Sequence, residues 1–311
     1  MFTKSFEHLS KNDIKIAGGK GASLGEMLSI KMPVPPGFVV LASAFDRFLT
    51  ETDLNVEVMA KLKKVNKKDI NSIEEVSEEI RDLINDEKFP KDIGKDILKE
   101  FKKLNARFVA VRSSATAEDS SIASWAGELE SYLNVTRNNL LESLRKCWSS
   151  LFTPRAIFYR FEKKLDKQKV SVAVVVQKMV QSEISGICFT VHPVTKDRNQ
   201  MVIEAGYGLG EAIVGGKITP DTYIVDKKEM KILDKNISEQ KIMIIKGKKS
   251  TIEVRVPLLK QGKQKLSDKQ TLKLAVICRI IEKHYRFPQD IEWALGKDNF
   301  YVTQSRPITT L

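Results

Sequence analysis

The hydrophobic positions change period partway along the chain, and that change divides it. Over residues 44–105 apolar side chains recur at helical spacing among lysines and glutamates, with breaks at Pro90 and Gly94, which predicts a helical section. Two more helices are expected, over 138–152 and over 155–165, the second opened by Pro154 in its first turn. The period then shortens. Residues 170–180, 186–191 and 200–204 are β-rich runs, and short strands continue to Val256. Ser267 is a good N-cap for a helix reaching about His284, and two strand-like runs, 291–295 and 300–304, read as a closing hairpin. Near the start, glycine-rich residues 17–23 predict a loop into a short helix ending near Met27, and residues 33–37 a rigid turn into a strand.

Composition narrows the classes. With 311 residues, 42% of them hydrophobic, the chain can form two average domains or one large α/β unit around a real core. The net charge of +12 comes mainly from lysines spread along helical stretches such as 61–68, not from an arginine and aromatic stripe. That pattern argues against a nucleic-acid reader and suits a polyanionic ligand such as a nucleotide. Cys147, Cys188 and Cys278 are odd in number, far apart and expected without neighbouring partners, which predicts reduced thiols in a cytoplasmic setting rather than disulfides or a zinc cluster. No apolar run is long enough to span a bilayer and the N-terminus lacks the apolar core of an export signal, so no membrane partner is expected.

The most informative stretch is 109–135: Val-Ala-Val-Arg112-Ser113-Ser114-Ala-Thr116-Ala-Glu118-Asp119, then Ala126-Gly127-Glu128 and Tyr132-Leu-Asn-Val135. A guanidinium can hold a phosphate with a planar fork of donors, and hydroxyls and loop amides can serve the remaining oxygens. The apolar run 108–111 would be a buried strand delivering Arg112, with a loop after it; a Ser/Thr-rich surface turn with a solvated arginine fits the same residues. Lys20, among glycines just before a helix start, could meet a phosphate together with the first helical amides, although its spacing is not that of a Walker A loop and a flexible turn fits as well. Gly206-Tyr-Gly208-Leu-Gly210-Glu211 imitates a dinucleotide fingerprint, but its third glycine is misplaced.

The closing hairpin offers a metal site. Glu292 and Gln304 supply a carboxylate and an amide oxygen, hard donors of the kind magnesium shares with nucleotide phosphates, and Arg306 adds a second guanidinium. If Leu295 pairs with Tyr301, Glu292 lies opposite Gln304 on one face, and a one-residue slip would separate them. An exposed polar hairpin end is the alternative. Gln177, at the end of an apolar run, could present its amide to a purine edge or be an incidental polar residue of a buried strand. Glu204 and Glu211 are further acidic candidates, while His8, His192 and His284 lack the setting of a nucleophile.

Taken together, 18–27, 34–39, 109–119, Ala126-Gly127, 132–135, 208–211, Thr219-Pro-Asp221 and Gln304-Ser-Arg306-Pro307 resemble, in order, the N-terminal nucleotide-binding domain of phosphoenolpyruvate synthase and pyruvate phosphate dikinase, which rifampicin phosphotransferases share. The resemblance implies an α+β, ATP-grasp-type fold: a helix-rich N-terminal lobe, 1–180, a sheet-rich C-terminal lobe, 181–311, and ATP with magnesium in a cleft between them. It further implies that Lys20, Arg112 and Arg306 hold phosphates, Gly127 lets the backbone approach them, and Ser131 stands where relatives often have threonine. Gln177 would face the adenine, Glu292 would serve nucleotide and metal, and Gln304 the metal. The Thr-Ser-His-Ala-type loop that carries the phosphoaccepting histidine in such enzymes does not occur here, and an acceptor-binding (β/α)₈ barrel of about 250 residues has no room. The expected partner is therefore a histidine domain in trans or in a larger parent enzyme, with a non-catalytic nucleotide-binding module as the other possibility.

Overall fold

The computed structural model describes residues 1–116, 130–163, 165, 171–248 and 250–309. The chain forms two compact units, Met1–Glu26 with Pro36–Met179 and Met27–Pro35 with Val180–Leu311. The expected lobes, 1–180 and 181–311, do not capture the segment Met27–Pro35, which belongs with the second unit: there the Val302 amide donates to the Pro33 carbonyl at 2.9 Å.

The first unit carries β1 (Thr3–Ser5), α1 (Ile14–Ser29, ending in the second unit's segment), β2 (Gly37–Val40), α2 (Ala42–Glu51), α3 (Leu54–Lys64), α4 (Ile70–Asp86), α5 (Lys91–Leu104), β3 (Val109–Ala115), β4 (Ser131–Val135), α6 (Leu140–Ser149), α7 (Pro154–Glu162) and β5 (Val172–Lys178). Its sheet runs β1-β2-β5-β3-β4 with antiparallel neighbours throughout. Central β5 reads Val-Ala-Val-Val-Val-Gln and is buried on both faces, hence the continuous apolar run. One face, through Val40, Val109, Val111, Val174 and Val176, joins helical Phe45, Ile80, Ile84, Leu144 and Trp148 in one core. Trp148 packs on Phe48 and Phe89 with ring centroids 5.0 and 4.9 Å away, separations at which aromatic pairs attract beyond simple burial. The helix stripe is legible in α4, where Ile73, Val76, Ile80 and Ile84 recur at three- and four-residue steps. Gly94, expected as a break, lies buried inside α5, while Pro90 is that helix's N-cap residue.

The second unit carries β6 (Ile184–Phe189), β7 (Gln200–Tyr207), α8 (Glu211–Val214), β8 (Asp221–Asp226), β9 (Lys231–Asn236), β10 (Ile242–Lys246), β11 (Thr251–Arg255), α9 (Leu258–Gln261), α10 (Asp268–Tyr285), β12 (Gln289–Gly296) and β13 (Asn299–Pro307). Six strands form an antiparallel sheet, β13-β12-β6-β7-β8-β9, and β10 pairs with β11 as a separate hairpin. Helix α10 opens with a capping box between Ser267 and Gln270, which satisfies its first amides. Side chains of directly paired antiparallel residues share a face, so Ser305, Ile291, Cys188, Ile203 and Tyr223 form one row across the sheet, all of them buried. The architecture is α+β, helix-rich in the first unit and sheet-rich in the second. Among the described residues no helix is long and apolar enough to cross a membrane.

One expectation about the cysteines fails. All three are free and buried, but the Cys188 thiol is in hydrogen-bonding contact with that of Cys278, so two thiols far apart in sequence are neighbours in the fold. Burial pushes Cys188 well up, and Cys147 to about 12, which keeps both protonated and poor nucleophiles.

Candidate functional site

The phosphate-binding candidates of the first unit converge on the sheet face opposite the helical core. Arg112 pairs in register with Ser131 on β4 and Val175 on β5, and Gln177 pairs with Ala110, so Arg112, Ser131 and Gln177 share one face. Arg112 is half-buried, Ser131 exposed, and Gln177 only 3% exposed. The glycine stretch that holds Lys20 packs on the same face. Gly18, at φ 67°, interrupts α1, and a Cβ there would lie 2.2 Å from the Ser114 hydroxyl oxygen. Ser114 donates that hydroxyl to the Ala17 carbonyl at 3.0 Å and accepts from the Gly21 amide at 3.4 Å. A Cβ on Gly21 would meet Val39 at 2.8 Å. Residues 17–23, expected as a loop, are thus helical turns around one kink, and Lys20 stands in the first turn after it, within two residues of a contact with β3. The backbone around Lys20 fits only because Gly18 and Gly21 lack side chains.

The hydroxyls after Arg112 have a different role from the one expected. Ser113 and Ser114 belong to β3 and Thr116 follows it directly, and all three hold the fold. Ser113 Oγ lies within hydrogen-bond reach of the Glu130 and Cys147 carbonyls, 3.0 Å each, and of Ser150 Oγ at 2.9 Å. Thr116 donates its hydroxyl to the Ser171 carbonyl at 3.0 Å. Glu130 in turn takes Arg81 at 2.8 Å and the Tyr132 hydroxyl, which fixes the start of β4 beside Arg112. Gly127, with Glu118 and Asp119, lies outside the described residues.

In the second unit Glu292 pairs directly with Gln304, the arrangement a shared oxygen site needs, but not by the expected route. Leu295 pairs with Phe300 rather than Tyr301, closing a two-residue turn at Lys297 and Asp298, both at positive φ. Such a turn alone would set Glu292 opposite Thr303. A β-bulge between Glu292 and Trp293 takes up that extra residue and restores Gln304. The same face carries Asp290, paired with Arg306: Arg306 Nη2 and Nε lie 2.7 and 2.8 Å from Asp290 Oδ2. Glu292 also pairs with Ile187, and Ile187 with Glu204, which sets Glu204 two strand spacings, about 10 Å, from Glu292 on that face.

Asp290 was not legible as a site residue. Its one sequence signal is its place two residues before Glu292, which gives it the same strand face. Burial raises its pKa, the Arg306 guanidinium opposes that rise, and the Glu292 charge adds to it. Burial likewise raises Glu204, and Asp290 adds to the rise. Among the described residues no three His, Cys, Asp or Glu side chains form a ready-made metal cage. The donor set Glu292 and Gln304 still suits magnesium, which takes one or two protein oxygens and completes its shell with phosphates and water.

Two other motifs are structural. Asp221, of Thr219-Pro-Asp221, is fully buried with Lys265, the charged atoms 2.8 Å apart. It also accepts from the Ser238 and Lys265 amides, 3.0 and 2.8 Å, and from the Tyr223 hydroxyl at 3.0 Å. In Gly208-Leu-Gly-Glu211, Gly208 adopts φ 88° and its carbonyl accepts the hydroxyls of Ser182 and Ser185 at 2.9 and 2.8 Å, which turns the chain out of β7. His192 Nδ1 accepts from the Val194 and Thr195 amides, 3.3 and 3.2 Å, so it closes a turn.

The chain is 46% identical over 313 residues to a probable phosphoenolpyruvate synthase of Methanothermobacter thermautotrophicus, covering 98% of this chain and 46% of the relative. It is 42% identical to the phosphoenolpyruvate synthase of Pyrococcus furiosus, covering 100% and 44%, and 40% identical to the rifampicin phosphotransferase of Bacillus cereus, covering 100% and 36%. The chain spans less than half the length of these relatives. A solved D-alanyl-alanine synthetase A from Vibrio cholerae aligns over 93% of this chain and 58% of its own, with a TM-score of 0.34 and 8% identity. The family described as pyruvate phosphate dikinase, AMP/ATP-binding domain, matches residues 14–311, and the chain belongs to that family.

Proposed function

We propose that this chain is an ATP-grasp-type phosphotransfer domain that binds Mg-ATP and passes its phosphates to a histidine on another domain or chain, in the manner of a phosphoenolpyruvate synthase, a pyruvate, water dikinase. The observation that carries the reading is the shared sheet face of Arg112, Ser131 and Gln177, with the Lys20 turn docked on it through Gly18 and Ser114. Lys20, Arg112 and Arg306 neutralise phosphate charge, Gly127 admits the phosphates to the backbone, and Ser131 adds a hydroxyl. Gln177 offers its amide to the adenine. Glu292 and Gln304 hold magnesium, and Glu292 also contacts the nucleotide. Bound magnesium supplies charge neutralisation at the phosphates.

Phosphoryl transfer of this kind rests on positioning and electrostatics rather than on a protein nucleophile. The histidine nitrogen attacks the β-phosphorus, the bond from that phosphorus to the oxygen bridging to the α-phosphate breaks, and AMP leaves. The buried thiols favour a reducing, cytoplasmic setting. The likeness to a rifampicin phosphotransferase supports a second reading with the same ATP half and a different final acceptor. To test the main one, the chain is titrated with ATP with and without magnesium, then mixed with histidine domains of both kinds of relative. Magnesium-dependent ATP binding and labelled phosphohistidine are expected; ATP binding with no labelling of either domain would leave only a nucleotide-binding module.

A further inference from the structure

We propose that the second unit holds another anion site, separate from the ATP residues, that takes a small organic molecule bearing a phosphate. A cavity of about 410 Å³ opens beside the C-terminal end of α10. Arg198 reaches it from the loop after β6, Arg279 and Lys283 from one turn of α10, and Arg286 from that helix's left-handed C-cap at φ 53°. Glu282 is the carboxylate of the lining, and the Lys227 ammonium holds it, 2.8 Å from each oxygen. Among the described residues no carboxylate lies within ion-pair distance of Arg198, Lys283 or Arg286.

The helix dipole accounts for part of this arrangement. Cations are favoured in the last turn of a helix, where Lys283 stands, and at the C-cap just beyond, where Arg286 stands. It does not account for Arg198, on another element, or for Arg279, which repels Lys283 across four residues. Arg279 donates to the Lys227 carbonyl at 2.9 Å, which fixes the guanidinium and leaves further donors for a ligand. Guanidinium forks from separate elements around one opening suit a phosphate, whose oxygens accept from several directions. The walls are apolar. Val191, Pro288 and the Phe287 ring, 45% exposed, offer a surface for a flat organic group that inorganic phosphate would leave uncovered. Pro288 leads directly into β12 and accepts from the Ile308 amide at 2.9 Å, so the ligand would sit two residues from Asp290.

Calorimetry with AMP and with inorganic phosphate, each in the presence of a saturating non-hydrolysable ATP analogue, tests the site. AMP is expected to bind about tenfold more tightly than phosphate. The double substitution Arg198→Ala with Arg286→Ala, at exposed positions and with folding checked by circular dichroism, is expected to weaken both ligands about tenfold, and Phe287→Ala to weaken AMP alone. Unchanged AMP binding in the double variant overturns the proposal, as does equal affinity of the parent for AMP and phosphate. Failure of the analogue to bind would count against the ATP reading only, because the parent and the double variant still report on this cavity.

Discussion

On the first unit's sheet, the site candidates that share a face with Arg112 are neutral donors and acceptors, Ser131 and Gln177, with a lysine turn packed alongside. On the second unit's sheet, the face of Glu292 carries Glu204, Asp290 and Gln304 with one guanidinium, Arg306, paired to Asp290. Both sheets are antiparallel and both bury their opposite face in a core, so the backbones do not set this contrast. Side chains one residue apart in strand phase do. Under the proposed function the first unit's face would receive anionic oxygens. The second brings three carboxylates onto one face with a single arginine, which Asp290 holds.

The largest expected effect separates structural from functional acids within the second unit. Removing Asp221 strands the Lys265 ammonium, which is 0% exposed, and an uncompensated buried charge of this kind costs about 3–5 kcal/mol. Asp221→Ala should lower the urea midpoint accordingly; an unchanged midpoint would mean that the pair is not what locks Ser238 and Tyr223 in place. Next comes Arg112→Ala, expected to slow phosphohistidine formation about 10²- to 10³-fold, as for other preorganised donors, with unchanged circular dichroism. Normal labelling by that variant would erase the assignment of anion binding to the first unit.

The smallest effect probes the carboxylate face. Burial raises Glu204 and Asp290 in the fold, so the folded chain takes up their protons more readily than the unfolded chain. Their contribution to stability therefore falls as pH rises from the unfolded values near 4 through the raised folded ones, and returns below them. Glu204→Gln cannot ionise. It should be more stable than the parent at neutral pH and lose that advantage below about pH 4, where the parent's carboxylate is protonated in both states. Parallel stability curves for the two proteins would show that Glu204 carries no such penalty.

Local rules made much of this readable. Pro154 does stand at a helix start, with the Thr153 hydroxyl accepting from the Ala156 amide at 3.2 Å, and Ser267 does cap α10. The pairing of Glu292 with Gln304 follows from strand period, but the two-residue turn and the bulge that compensates it leave no mark on that period. What escaped depends on contacts between residues far apart in sequence. Ser113 and Ser114 looked like phosphate ligands because nothing local reveals Cys147 or Ala17 as their partners. Asp221 and Lys265, 44 residues apart, carried no mutual signal, and neither did Cys188 and Cys278.

The bulge beside Glu292 has a consequence for how this hairpin tolerates change in length. Its tip can be exchanged for any other two-residue turn without disturbing Gln304, because the offset is absorbed further along β13. Straightening the bulge without removing a residue would leave every side chain chemically intact and still carry Gln304 and Arg306 together away from Glu292 and Asp290, whereas deleting Thr303 would keep both pairs in a regular ladder. At this end of the molecule strand register protects the chemistry as strictly as residue identity does.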